Sequence, residues 1–469
     1  MATPSVRNNF LYKSILTLSS YLISLATFPY VSRVLGVEGI GAVNFADNTA
    51  GYFILFAMMG VTSIGTREIA SAGSDRERRS RIFSRIFGIN LTFTLATLLL
   101  YFGAILLVPR FSQNADLFYI GSAKIVGTVF LVEWLFTGLE EFRYITLRSM
   151  LIKLLYVIAV YLLVNESDDA MLYLSLTVGT VVVNAVVNIL YARRFVTLRL
   201  CELFSLHYLK ENLTLGVHGI MTSMYITFNV VWLGLVANDV QVGLYTTAFK
   251  LYTIVLGLFT AFTSVMMPRM SALLAEGDRT SFEEAIGRSF SGMMRLIVPL
   301  VVCSVILAPQ IIRVVAGEGY EGAILPMRII MPAALAVGVA QVLSVQVLLP
   351  LRHDKVLLAA SIVGATASLI INLLVVPHLQ SVGSAIVTFV AEYLVTTTYV
   401  IYIAYRRLIA VPWHSLLVSA LHTIPPAAVS LLCCHLIDNP LFCITAALLL
   451  GGGIWALLNR KILAGMLKR

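Results

Sequence analysis

The chain has 469 residues, 59% of them hydrophobic and only 12% charged, with a mean hydropathy of +0.90. That balance excludes a soluble globular fold and indicates a polytopic helical membrane protein. The net charge of +9 does not mark a nucleic-acid binder, because the basic residues are interspersed between apolar stretches instead of forming one patch.

Fourteen apolar stretches follow in chain order, near 11–34, 44–65, 83–108, 117–138, 144–164, 171–192, 213–236, 243–266, 290–315, 324–349, 356–376, 382–404, 413–436 and 441–459. Each is about 19–28 residues, enough to cross roughly 30 Å of hydrocarbon at 1.5 Å per residue. The expected fold is therefore an all-α integral membrane protein with 14 transmembrane helices. No cleavable signal peptide is evident, since the first stretch is as long as a full span. Of the 33 Lys and Arg side chains, six (Arg33, Arg110, Lys124, Lys250, Arg313 and Arg328) lie in one set of alternate gaps or inside apolar stretches. The other 27 fall in the opposite set, such as the run Arg76, Arg78, Arg79, Arg81 and Arg85. The positive-inside rule then places both termini in the cytoplasm.

The chain repeats itself after six spans. At an offset of 202, Gly41 matches Gly243, Ala46 matches Ala248 and Arg67 matches Arg269; at 207, Arg81 matches Arg288, Phe83 matches Phe290 and Ser84 matches Ser291. Each basic loop is expected to open its next helix with a capping box, Ser74-x-x-Glu77 and Ser281-x-x-Glu284. An even repeat gives parallel copies, a transporter plan with the substrate site between lobes. The division is an N-lobe over 1–200, a C-lobe over 201–410 and two additional helices over 411–469.

Charge inside a bilayer costs roughly 2.5–3.5 kcal/mol per residue at a helix centre, so the misplaced cations point to an anionic ligand. Lys124, Lys250, Arg33 and Arg328 lie in the outer half, where they would offer charge-assisted hydrogen bonds to a pyrophosphate. For Arg33 and Arg328 the alternative is snorkelling to the surface. Arg110 and Arg313 read as interface anchors. Lys124 and Glu133 are nine residues apart, two and a half helical turns, which puts them on opposite faces. Glu133 is level with Lys153; the two either bridge and hold the N-lobe together, or Glu133 takes up a proton or cation during transport. Asp47 and Lys250 occupy nearly equivalent places in the two repeats. They either meet as a gate or pair within their own lobes. Glu392 is the deepest acid of the C-lobe, a structural or a coupling group, and His218 could titrate near neutral pH. Pro29, Pro299 and Pro332 should kink their helices.

No catalytic constellation, P-loop or metal-ligand spacing is present, so neither an enzyme, an ATP site nor a bound cofactor is expected. H+ or Na+ remains a candidate coupling ion. The five cysteines show no CxxC spacing and read as structural thiols.

The segments PYVSRVLGVEGIGAVNFADNTAGYF (29–53), GVTSIGTREIA (60–70), EWLFTGLEEFRYITLRSMLIK (133–153), VGLYTTAFKL (242–251), MPRMSALLAEGD (267–278) and VPHLQSVGSAIVTFVAEY (376–393) resemble one family as a set. It is the Wzx-type polysaccharide flippases of the multidrug/oligosaccharidyl-lipid/polysaccharide exporter superfamily. The resemblance implies a protein of the bacterial inner membrane that flips an undecaprenyl-pyrophosphate-linked oligosaccharide for O-antigen, capsule or exopolysaccharide synthesis. It also implies two six-helix lobes around a V-shaped cationic cavity, with the last two helices flanking a lipid-tail groove. Expected partners are the bilayer and, as a monomer, the polymerase and chain-length proteins of the same pathway. Relatives often carry Asp where this chain has Asn229, which weakens ion coupling there. Lipid II flippases carry arginines within the first two helices, and none lies in 14–32 or 48–66 here. A drug/cation antiporter would want an acidic cavity, and a polysaccharide polymerase or ligase would want large outer loops. The sequence supplies neither.

Overall fold

The structure, a computed structural model, describes residues 6–204, 207–224 and 228–460. The described residues form helices and contain no strand. Contacts divide the chain into two compact units, Met1–Gly243 and Leu244–Arg469.

In the first unit, α1 (Val6–Met58) runs on after a break at Gly36, whose φ of 66° and ψ of 178° belong to a region essentially closed to residues with a Cβ. Then come α2 (Val61–Ser71), α3 (Arg76–Leu107) and the single turn α4 (Pro109–Ser112). α5 (Ala115–Leu131) and α6 (Glu133–Gly138) are two pieces of one apolar segment, followed by α7 (Phe142–Leu163), α8 (Ala170–Ala192), α9 (Leu209–Met224) and α10 (Phe228–Val236). α11 (Asp239–Ala275) carries the chain into the second unit, which continues with α12 (Arg279–Ile306), α13 (Ala308–Val315), α14 (Ile324–Ile330) and α15 (Ala333–Gln341). A π-helical stretch, Val342–Leu348, precedes α16 (Asp354–Arg406), and the chain closes with α17 (His414–Leu436), α18 (Pro440–Ala446) and α19 (Gly452–Leu458).

Eleven described segments are long and apolar enough to cross a membrane. Two are too long for one crossing. Ser14–Met58 has 45 residues and Asp354–Arg406 has 53, against the ~20 that a bilayer needs. The second breaks at Gln380, with φ 49° and ψ −121°. Both breaks fall in or beside the expected gaps after residues 34 and 376. Pro332 is the N-cap of α15, separating it from α14, while Pro29 and Pro299 lie inside α1 and α12.

The expected capping boxes are not what opens the two helices after the basic loops. The caps are Asp75, whose carboxylate accepts from Arg78 N at 3.0 Å, and Asp278, which accepts from Ser281 N at 2.9 Å. An aspartate with extended backbone reaches these free N–H groups directly and its charge suits the helix N-terminus. Those hydrogen bonds hold both carboxyls below the usual carboxylate range.

After α8 the chain crosses back along α3 in extended form. Thr197 N donates to Ser80 Oγ (3.0 Å) and Arg199 N to Ser84 Oγ (2.8 Å). One turn further a Cβ on Gly88 would stand 1.7 Å from Leu203 O. Ser80, Ser84 and Gly88 are thus a seat, four residues apart, on one face of α3. Arg85 clamps Glu202 at 2.7 Å and holds its carboxyl below the ordinary range. Gly88→Val should lift this strap and lower the thermal unfolding midpoint of the solubilised protein; an unchanged midpoint would contradict the seat.

Candidate functional site

The first unit holds two ion pairs inside apolar segments. In the first, Lys124 of α5 reaches Asp47 of α1 with Nζ 2.5 Å from Oδ1. Their side chains are 20% and 29% exposed. Both belong to the unit that ends at Gly243, so Asp47 has its partner within that unit. This favours the alternative to a gate with Lys250. Lys250 itself sits half-buried on α11.

The second pair corrects an expectation. Glu133 meets Arg148, not Lys153: Arg148 Nη2 lies 2.7 Å from Glu133 Oε1. Lys153 instead donates to Ser20 Oγ at 2.5 Å. The helix is also broken one residue before Glu133. Val132 is in the left-handed conformation, φ 38° and ψ 32°, which is strongly disfavoured for a β-branched residue. The helix stops there and restarts, so counting 100° per residue across 124–133 fails.

Asn188 of α8 repairs the break. Its Nδ2 donates to Leu131 O, a carbonyl at the helix end, and its Oδ1 accepts from Arg148 Nη1 and, at 3.0 Å, from Tyr144 Oη. Arg148 also lies 5.5 Å from the Tyr144 ring and donates to Ser149 Oγ at 2.9 Å. Its side chain is 5% exposed, while that of Glu133 is 48% exposed. A broken helix beside a buried guanidinium is the kind of strained element that gathers at functional sites. The sequence carried one readable signal, Arg148 itself, which had been counted among loop cations.

Arg110 is also more than an interface anchor. It donates to Asp239 Oδ1 at 2.6 Å and to Gly234 O at 3.0 Å, and Asn114 Nδ2 reaches Asp239 Oδ2 at 3.1 Å. Asp239 opens α11, where its charge faces the positive helix end. Next to this lock the two repeat-matched glycines meet. A Cβ on Gly41 would lie 1.7 Å from Asp239 O and 2.9 Å from Gly243 N; one on Gly243 would lie 2.0 Å from Val37 O. Arg110→Ala should cost about 3 kcal/mol, because it leaves a largely buried carboxylate without its cation, and replacing both residues by apolar ones should recover much of that loss. Thermal unfolding of the three variants measures it; an Arg110→Ala midpoint equal to that of the parent would contradict a buried lock.

Arg33 is exposed and donates to Pro29 O at 2.6 Å. Arg328, also exposed, donates to Val305 O at 3.3 Å, at the C-terminal turn of α12, where a cation is favoured. Glu392 is half-buried on the second arm of α16, where its neighbour Tyr393 donates to Pro332 O and Thr396, one turn on, donates to Ala336 O. No cation among the described residues lies within ion-pair distance of it. The side chain of His218 falls outside the described residues. Arg313 lies in the last turn of α13. An apolar groove of about 630 Å³ runs between α5 and α8, floored by Ala123, Gly127 and Ala185.

Comparison with known proteins places this geometry. A family profile described as "Polysaccharide biosynthesis protein" matches residues 6–274, more than half of the chain. A curated protein of Escherichia coli (strain K12) named "Putative O-antigen transporter" is 26% identical over 415 residues, 86% of this chain and 98% of that protein. Its namesake in Shigella dysenteriae is 25% identical over 398 residues, 83% of this chain and 98% of that protein. Among solved structures, the lipid II flippase MurJ in an inward closed conformation superposes with a TM-score of 0.69. It is 16% identical and the match covers 94% of this chain and 99% of that one. An inward-facing multidrug resistance MATE family transporter of the MOP superfamily matches with a TM-score of 0.59 and 16% identity over 84% of this chain and 98% of that one. The fold is that of these membrane transporters.

Proposed function

This chain belongs to the polysaccharide biosynthesis protein family, and we propose that it is a flippase, not an enzyme. It moves an undecaprenyl-pyrophosphate-linked oligosaccharide from the cytoplasmic to the periplasmic leaflet of the bacterial inner membrane by alternating access. The observation that carries this reading is the Lys124–Asp47 pair within apolar helices, in a chain that matches O-antigen transporters along nearly their whole length. A sugar chain cannot enter hydrocarbon unaided, because its hydroxyls would lose water without gaining partners. A polar path through the helices supplies those partners while the lipid tail stays in the bilayer.

Lys124 is the group that takes the pyrophosphate, and Asp47 is its competitor. While Asp47 is charged it occupies the ammonium. Binding of the pyrophosphate draws Lys124 away from Asp47, and re-formation of the pair expels the substrate. The candidate coupling ion is H+ or Na+, with no ATP or other cofactor. An inside-negative potential adds roughly 2.3 kcal/mol per charge per 100 mV in favour of moving an anion outward. Lys250, Arg33 and Arg328 extend the cationic path, and Glu392 is the candidate coupling acid. The lock of Arg110 on Asp239 holds the periplasmic end shut.

The membrane topology completes the proposal. The two overlong segments each cross twice, and α9 with α10 makes one more crossing, for fourteen, with both termini cytoplasmic. Residues 1–200 and 201–410 are the two lobes, and 411–469 supply helices beside the lipid tail. The protein works as a monomer beside the polymerase and chain-length proteins of its pathway.

In a strain lacking its own O-unit flippase, the chain should restore surface polysaccharide. Protein present in the membrane with no polysaccharide restored, in every host tried, would oppose the reading.

A further inference from the structure

One side of the second arm of α1 is neither core nor lipid face. Asn44, Asn48 and Tyr52 recur every four residues, with Gly51 beside them, and all four are half-buried. At 100° per residue these positions and Asp47 fall within a stripe about 140° wide. Lipid does not suit that stripe, because it holds two carboxamides and an ion-paired carboxylate. Each carboxamide uses one N–H on its own helix, Asn44 Nδ2 to Ile40 O and Asn48 Nδ2 to Asn44 O, both at 2.8 Å. Each keeps a second N–H, and an Oδ1 that makes no bond within that helix turn. At Gly51 an added Cβ would meet nothing within 4 Å, so there is room over the helix there. Across from the stripe, α10 supplies two more rings. Phe228 lies 5.8 Å from Tyr52, and Trp232 stacks on Phe228 at 6.1 Å and 24°.

We propose that Tyr52, Phe228 and Trp232, with Asn44, Asn48 and the space at Gly51, form a carbohydrate subsite that holds a sugar ring of the translocated molecule. A pyranose has an apolar C–H face and an edge of hydroxyls. Aromatic rings cover the first, and carboxamides both donate to and accept from the second. The subsite adjoins Lys124 through Asp47, so a pyrophosphate held there carries its sugars across Asn48 and Gly51 onto Tyr52. This inference rests on the flippase reading and adds to it that the glycan, and not only the pyrophosphate, is recognised.

The test is leaflet-resolved transport in proteoliposomes with two probes. One is undecaprenyl pyrophosphate bearing a trisaccharide of neutral hexoses; the other is undecaprenyl pyrophosphate without sugar. The parent chain should prefer the glycosylated probe. Tyr52→Ala and Trp232→Ala should each reduce that preference by about threefold to tenfold, the scale of one aromatic contact, while Tyr52→Phe keeps it. Gly51→Leu, whose Cβ meets no neighbour within 4 Å, should leave the protein level unchanged and block the glycosylated probe more than the bare one. Equal preference in parent and alanine variants would overturn the subsite alone. A parent chain that moves neither probe would overturn the flippase reading and the subsite with it.

Discussion

Lys124→Ala should stop oligosaccharide transport while leaving the protein in the membrane at its usual level. The substitution removes the ammonium and leaves the Asp47 carboxylate, 2.5 Å from where it stood, to repel a pyrophosphate. A charge-assisted hydrogen bond contributes about 1.5–3 kcal/mol, so the loss in binding is roughly tenfold to a hundredfold before the repulsion is added. Both side chains are partly exposed, so the fold does not depend on the pair as it would on a fully buried one. Asp47→Asn should act differently: pyrophosphate binds more tightly, and turnover slows because no carboxylate competes for Lys124. Lys124→Arg should retain transport. Surface polysaccharide at parental levels in Lys124→Ala would remove this residue from the site.

Asn188→Leu should produce the largest loss of stability from a single uncharged side chain. Asn188 is fully buried and joins three elements, taking Arg148 and Tyr144 on its oxygen and giving its amide to Leu131 O. Leucine leaves a buried guanidinium and a helix-end carbonyl each short of a partner, while Tyr144 keeps Val187 O. At about 1–3 kcal/mol per orphaned group, the sum is about 3 kcal/mol or more. It also leaves the left-handed Val132 unsupported, so the break itself should relax. A markedly lower unfolding midpoint, with altered protease cleavage near 131–133, is the expected result. A midpoint within one degree or so of the parent would mean that the break holds without Asn188.

Much of this was legible in the residues, and the failures have identifiable causes. Composition and span length indicate the membrane class, and the breaks at Gly36 and Gln380 fall in the expected gaps between spans. The importance of Lys124 was readable because a lysine in the middle of an apolar run is costly. Its partner was not, because Asp47 is 77 positions away and pairing at that distance is set by packing. Depth alone matches Glu133 to Lys153, but Arg148, five residues nearer the start of α7, is the cation that packing brings to it, and no propensity predicts the left-handed Val132 beside it. Arg110 passed for an anchor since Asp239 is 129 residues further on. Ser74 and Ser281 were taken as caps over Asp75 and Asp278; either neighbour suits the position chemically, and the backbone decides.

The central claim is that this chain carries a pyrophosphate-linked glycan across a bilayer. Purified protein in vesicles containing undecaprenyl-pyrophosphate-linked trisaccharide, with the glycan in each leaflet counted by a membrane-impermeant lectin, measures it directly. The account predicts exchange between leaflets far faster than in empty vesicles, accelerated by a potential negative on the side of departure and abolished by Lys124→Ala. Exchange equal to that of empty vesicles, with folded protein present, would contradict it.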